Sequence, residues 1–464
     1  MLRKLATASS ALALAACAAG PNYQAKPISA AEAAPFVMAQ GSTIVSDAQP
    51  AGDWWRLYND PVLDGLVKDA LAANTDIRVA VAHLQRARAF LREERGAREP
   101  QVGLSGGAQY GRLPGPTAGQ KRTHFQVDVG LDVAYEVDLF GRISRRIEAA
   151  RGDVGAAVAD ADAVRVAIVA DTVRAYADAV SSAERVSVAE KIVALLDQSL
   201  TLTERRHQIG MANGLDTARI AALRDQRRAE IPLLESQRRA ALFRLATLTG
   251  RAPRELPQKV ADRTTFLRLE RVIPVGDGAT LLARRPDVRA AEQRLAAATA
   301  RIGVATADLY PKITLGGSVG SSGAGLGNIF SANPLTWLIG PLINWTVNRN
   351  AARARVAGAQ ADTQAALATF DGTILEALEE TEAALSAYQQ ALNRRDALRA
   401  ASDQAQAAAR ITRARQREGD ISSLELLDAE RTAAESQASL AEADARIASS
   451  QVDLFRALGG GWSS

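Results

Sequence analysis

The chain has 464 residues, 47% of them hydrophobic, a formal charge of +4 and one cysteine. Near-balanced charge without a basic patch of interleaved aromatics argues against a nucleic-acid partner, and one cysteine excludes a disulfide framework. Beyond the leader no stretch holds 18 consecutive apolar residues, so no transmembrane helix is expected.

Residues 1–17 read MLRKLATASSALALAAC. Arg3 and Lys4 precede an apolar run too short to span a bilayer, the pattern of a secretory leader over 1–16. Leu14-Ala15-Ala16-Cys17 resembles a bacterial lipobox, which implies cleavage before Cys17 and acylation of Cys17. Ala18 behind it implies retention in the outer membrane. The alternative is an ordinary signal peptide with a chance cysteine. An N-terminal arm, rich in Ala, Pro, Gly and Ser, fills 17–52. Asp60-Pro61 then suits a helix start, with Asp as cap and Pro at the first position. Apolar spacing predicts helices from Leu63 to Leu71 and from Ile77 to Leu91, ending before Pro100.

Residues 125–139 read FQVDVGLDVAYEVDL. Odd positions are bulky and apolar; even positions are polar or small, a strict period of two. The run is about three times the usual soluble strand of roughly 5–6 residues, and long enough for a membrane strand of about 9–11. Its polar face carries Asp128, Asp132, Glu136 and Asp138, which need water, while the other face suits lipid. The alternative is an edge strand of a soluble sandwich. Strands are expected at about 101–111 and 124–139, and again at 312–321 and 336–347, with Gly- and Pro-dense hairpin tips between. Phe125 and Tyr135, and likewise Trp337 and Trp345, are separated by about 20–25 Å along a tilted strand, matching the aromatic girdles of a membrane barrel.

The sequence contains its own copy. At an offset of 211, Asp76 falls on Asp287, Arg78 on Arg289, Leu84 on Leu295, Pro100 on Pro311 and Gly106 on Gly317. With small gaps, Gly210 then matches Gly419, Leu215-Asp216 matches Leu424-Glu425, and Leu242-Phe243-Arg244 matches Leu454-Phe455-Arg456. Each half reads helix, strand, strand, very long helix, tight turn, helix. The first repeat is 53–250, with a helical hairpin at about 143–249; the second is 281–458, with a hairpin at about 349–458. A proline-bearing waist linker covers 251–280 and a tail covers 459–464. The predicted class is mixed but mostly α. Four strands cannot close a membrane barrel, whose minimum is about eight, and open sheet edges are forbidden in lipid. The chain must therefore associate; two copies give eight strands and three give 12.

Ordered motifs span almost all of the chain after the leader: Cys17 with Gly20-Pro21-Asn22-Tyr23, Trp54 to Pro61, Tyr135 to Arg142, Arg284 to Glu292, Leu424 to Ala429, and Leu458 to Trp462. Together they resemble a TolC-like outer membrane efflux factor, of the OprM/NodT lipoprotein type that serves resistance-nodulation-division systems. The resemblance implies a homotrimer in the outer membrane, with a 12-stranded β-barrel continued by a coiled-coil α-helical barrel into the periplasm. It also implies a periplasmic adaptor (membrane fusion protein) and an inner-membrane pump as partners. The strand carboxylates would line the lumen, though a merely wet face explains them equally.

Periplasmic gate candidates near the helix tips are Asp216, Asp420, Glu425 and Asp428, with Arg415 and Arg417 as ion-pair partners. Asp216 and Asp420 also suit helix caps. This chain departs from the family at Gln416, where an aromatic is frequent, and at Ile421, where an acid is sometimes found. No catalytic constellation, phosphate loop or metal-ligand spacing is visible among His83, His124, His207 and the carboxylates, so neither enzymatic chemistry nor a cofactor is expected. The competing readings are a type I protein-secretion duct and a periplasmic coiled-coil scaffold; the latter leaves the four strands unexplained.

Overall fold

The computed structural model describes residues 19–49, 52–114, 121–264, 269, 272–323 and 335–460. They fall into two compact units. Residues 19–26, 83–158 and 290–372 form the first; residues 27–82, 159–289 and 373–460 form the second.

The elements follow the duplication. The first copy runs α1 (Pro61–Ala73), α2 (Thr75–Gly96), β1 (Gln101–Pro114), β2 (Lys121–Val137), α3 (Arg142–Gln208), α4 (Gly214–Arg228) and α5 (Glu230–Leu248). The second runs α6 (Gly278–Arg284), α7 (Pro286–Ala307), β3 (Lys312–Gly323), β4 (Thr336–Asn344), α8 (Asn350–Glu418) and α9 (Ser423–Ala457).

Three boundaries differ from expectation. The return arm of the first hairpin, expected as one helix up to about residue 249, is two helices that meet at Ala229. Pro232 is the cause: it has no N–H for the carbonyl four residues back, and its ring crowds that carbonyl. Strand β2 stops at Val137, which leaves Asp138 and Leu139 in the following turn. Strand β4 stops at Asn344, so Trp345 and Val347 lie past its end.

In the first unit the strands form one antiparallel sheet in the order β1-β2-β3-β4. One face carries a continuous apolar row, with Leu104 opposite Leu131, Leu131 opposite Val319, and Val319 opposite Trp337. The other face carries Asp132 opposite Ser318, and Ser318 opposite Leu338. Strand β4 is thus apolar on both faces, unlike β2. Gly316 makes room for Leu342 on that second face, since a Cβ there would sit 3.1 Å from Leu342 Cδ1. Among the described residues, the outer edges of β1 and β4 carry no ladder partner.

The second unit holds a large apolar core in which two of the sequence motifs meet. Trp54 stacks on Phe455 with ring centroids 4.5 Å apart and packs edge-on against Trp55. Leu63, Val67, Tyr176, Leu245 and Leu454 close around them. Truncating a fully buried aromatic of this kind costs about 3–5 kcal/mol. Asp60 caps α1 through the Val62 N–H, as its place before Pro61 predicts, and also accepts from the Tyr176 hydroxyl and Arg263. Burial, followed by the bond to Asp60, pushes the Tyr176 phenol well above its usual range. Val45–Ser46 of the arm pairs in parallel with Ile273–Pro274 of the linker.

Candidate functional site at the strand foot and helix tips

The strand carboxylates have unequal surroundings. Asp128 accepts from Gln126 Nε2 at 2.9 Å, and Asp132 from Ser105 Oγ at 3.0 Å. Glu136 accepts from Arg142, at 2.7 Å at closest, and from Lys312 at 2.9 Å. Asp138, placed outside the strand by the end of β2, caps α3 by accepting from the Ile143 and Ser144 N–H groups and the Ser144 hydroxyl. Gly141 supplies the left-handed turn (φ +75°) that carries the chain from strand to helix. Phe140 stacks on Tyr310 with centroids 4.6 Å apart. The motif from Tyr135 to Arg142 is therefore a strand-to-helix joint, and two of its carboxylates are committed to holding it.

Phe125, Tyr135, Trp337 and Trp345 are 43%, 36%, 70% and 49% exposed in the single chain, so each keeps a large part of its ring open. Trp345 Nε1 donates to the Leu309 carbonyl at 3.3 Å. Cys17 lies outside the described residues.

In the second unit the two hairpin tips have the same backbone. Helix α3 ends at Gly210 (φ +75°) and α8 at Gly419 (φ +83°). At each, the glycine N–H bonds three residues back and the next N–H bonds five back: Gly210 to His207 and Met211 to Arg206, then Gly419 to Gln416 and Asp420 to Arg415. This is the Schellman closure of a helix C-terminus. The following helix opens under a polar cap three residues after the glycine, Asn213 for α4 and Ser422 for α9. These residues, not Asp216 and Asp420, are the caps. Asp216 instead gives its N–H to Asn213 Oδ1, and Glu425 gives its N–H to Ser422 Oγ.

Of the expected ion pairs, one forms: Arg415 to Asp420 at 2.7 Å. Asp428 pairs instead with Arg431 at 2.8 Å, one turn along its own helix. The Arg417 side chain has no partner among the described residues, but its carbonyl and that of Gln416 accept from Arg206 Nη2 at 3.4 and 2.5 Å.

The contacts that bind the hairpins together behind the tips had no signal in local sequence. Glu430 is 4% exposed, and its Oε1 accepts from Ser199 Oγ at 2.5 Å and from Arg413 Nε and Nη2 at 3.2 and 3.1 Å. It thereby joins α3, α8 and α9. Nearby in sequence, Gln416 is fully buried, and neither its Oε1 nor its Nε2 has a hydrogen-bond partner. A buried polar group left unpaired costs about 1–3 kcal/mol.

Among the described residues no cluster of His, Cys, Asp and Glu suits a metal, and no helix is long and apolar enough to cross a membrane. A duplicated chain that joins a four-stranded amphipathic sheet to two long helical hairpins defines the protomer of an outer-membrane channel. The outer membrane efflux protein family model matches residues 66–251 and 279–460, and the chain belongs to that family. It is 31% identical to outer membrane protein OprJ of Pseudomonas aeruginosa, over 97% of this chain and 94% of that one. It is 29% identical to nodulation protein T of Rhizobium leguminosarum bv. trifolii, over 97% and 96% of the two chains. The solved outer-membrane channel OprN superimposes with a TM-score of 0.90 at 36% identity, covering 96% of this chain and all of that one. The open state of the MtrE outer membrane channel of Neisseria gonorrhoeae does so with a TM-score of 0.82 at 30% identity, over 96% and 98% of the chains. The family's members are channel proteins.

Proposed function

We propose that this protein is the exit duct of a tripartite efflux system, a passive outer-membrane channel that carries small molecules from periplasm to exterior. The observation that supports this most is the four-stranded amphipathic sheet with two unpaired edges, in a chain of the outer membrane efflux family. Unpaired edges cannot face lipid; three copies set edge to edge close 12 strands. The duct has no catalytic role. A periplasmic adaptor and an inner-membrane pump of the resistance-nodulation-division type supply cargo and energy. Acylation of Cys17 adds a lipid anchor, and Phe125, Tyr135, Trp337 and Trp345 mark the membrane interfaces. Asp128 and Asp132, whose partners are neutral, are the carboxylates we assign to the lumen.

The tips form the gate. Arg415–Asp420, the Ser422–Glu425 cap and the Glu430 junction favour the closed packing, and the adaptor shifts the equilibrium between two packings. Cross-linking of protein extracted from outer membranes should give a trimer, and reconstitution should give a small resting conductance. A stable monomer would sink the duct reading. Asp420→Ala or Asp428→Ala should raise the resting leak; no change in either removes both residues from the gate.

A further inference from the structure

Where the return helix breaks, α3, α4, α5 and α9 line a partly open cavity of about 230 Å³. Two features of the sequence produce it. Pro232 interrupts the helix at Ala229, and Ala438 and Ala441 of α9 are too short to fill the gap opposite. The walls are apolar, with Val188 and Ile192 from α3 and Leu233 and Leu234 from α5. The rim carries Arg185, Arg227 and Glu230.

Arg227 is deeply set, its side chain 11% exposed. Its two terminal nitrogens pair with Glu230 at 3.0 Å and Glu435 at 3.1 Å. Its Nε is buried and has no hydrogen-bond partner. Arg185 is half-buried and has no hydrogen-bond or ion-pair partner among the described residues. Arg227 thus faces two carboxylates, and Arg185 is the rim guanidinium with none of its own among the described residues. An apolar chamber with a few convergent polar groups is the usual form of a small-molecule site. Its volume exceeds the roughly 150 Å³ that holds a benzene. The free donors of the Arg185 guanidinium and the one free N–H of Arg227 suit a planar anion.

We propose that this cavity binds a small amphipathic anion. An aryl or short alkyl group fills the space between Ile192 and Leu234, and a carboxylate or sulfonate lies on Arg185 and the Arg227 Nε. Such a ligand touches both hairpins, through α3 and α5 on one side and α9 on the other, and braces them across the helix break.

The test is calorimetric titration of 2-naphthoate into the full chain, assembled and held in lipid nanodiscs. Saturable binding at one ligand per chain is expected. Arg185→Gln should weaken it about tenfold or more, the loss expected for one charge-assisted contact. Ala438→Leu should fill the cavity and abolish binding. The neutral isostere 2-naphthamide should bind at least about tenfold more weakly. Arg239→Gln, at an exposed arginine outside the cavity, should change nothing. If Ala438→Leu does not assemble, Arg185→Gln and the amide decide the matter. No saturable binding at millimolar ligand overturns the proposal. So does equal affinity for the amide, or unchanged affinity in Arg185→Gln.

Discussion

Each hairpin tip stops its long helix at a left-handed glycine, Gly210 in the first copy and Gly419 in the second, and restarts the chain under a cap three residues on. Different side chains hang on this common frame. The first tip is held by an amide cap and an imidazole: Asn213 caps α4, and His207 Nδ1 bonds the Ala212 carbonyl at 2.9 Å. The second carries an ion pair, Arg415–Asp420, and a reciprocal Ser422–Glu425 cap. It also buries an amide with no partner at Gln416 and is attached to α3 through Glu430 and through Arg206, which donates to the Gln416 carbonyl. Duplication retained the turn because the backbone carbonyls at a helix end must be satisfied whatever the side chains do. Side chains were free to diverge, and the second tip became the more polarised and the less comfortable of the two.

The largest expected effect comes from cutting the second hairpin loose. Glu430→Ala leaves Arg413 without its buried partner and Ser199 without its acceptor, and should cost about 3 kcal/mol. Hydrogen exchange should accelerate in α8 and α9 near the tip and much less in α4; equal acceleration at both tips would show that the asymmetry is not built on this residue. Gln416→Leu has the opposite sign. It replaces an unpaired buried amide by a hydrocarbon of similar size and should stabilise by about 1–3 kcal/mol, raising the melting temperature and lowering the resting leak. A destabilised variant would mean that the amide has a partner in the assembled protein.

Asn213→Ala and Ser422→Ala should each cost about 1 kcal/mol. Exchange in the first turns of α4 and α9 should rise alike, because the caps are geometrically equivalent; a clear inequality would break the claim of a shared frame. The smallest effect is expected for Asp420→Ala. Its pair is exposed, worth about 0.2–1 kcal/mol, and any rise in leak should fade in high salt.

Periodicity made the repeat, the sheet and both tip glycines legible in the sequence, because each leaves a local signature in apolar spacing or in a residue that tolerates positive φ. Pro232 is visible too, but the apolar pattern continues through it and predicts one unbroken helix. Asp138 looked like one more polar position of an alternating strand; that the strand ends one residue earlier is decided by the turn at Gly141 and the needs of α3. Asp216 and Asp420 suited caps by type, yet Asn213 and Ser422 occupy the position where the chain is still extended. The Ser199–Glu430–Arg413 junction was beyond reach. Its members are up to 231 residues apart in sequence, and nothing local to any one of them names the others.

The chain just behind Cys17 has almost no slack. The Ala19 N–H bonds the Phe140 carbonyl, and Arg145 holds the Ala19 and Gly20 carbonyls and the Asn22 side chain. Gly20 is pressed so close to Gly303 that a Cβ would fall 2.5 Å from its Cα. Residues 19–22 therefore work less like a loose rope than like a clamp: they tie the start of the described chain to the strand-to-helix joint at Phe140 and Arg145, so that arm and joint move as one piece.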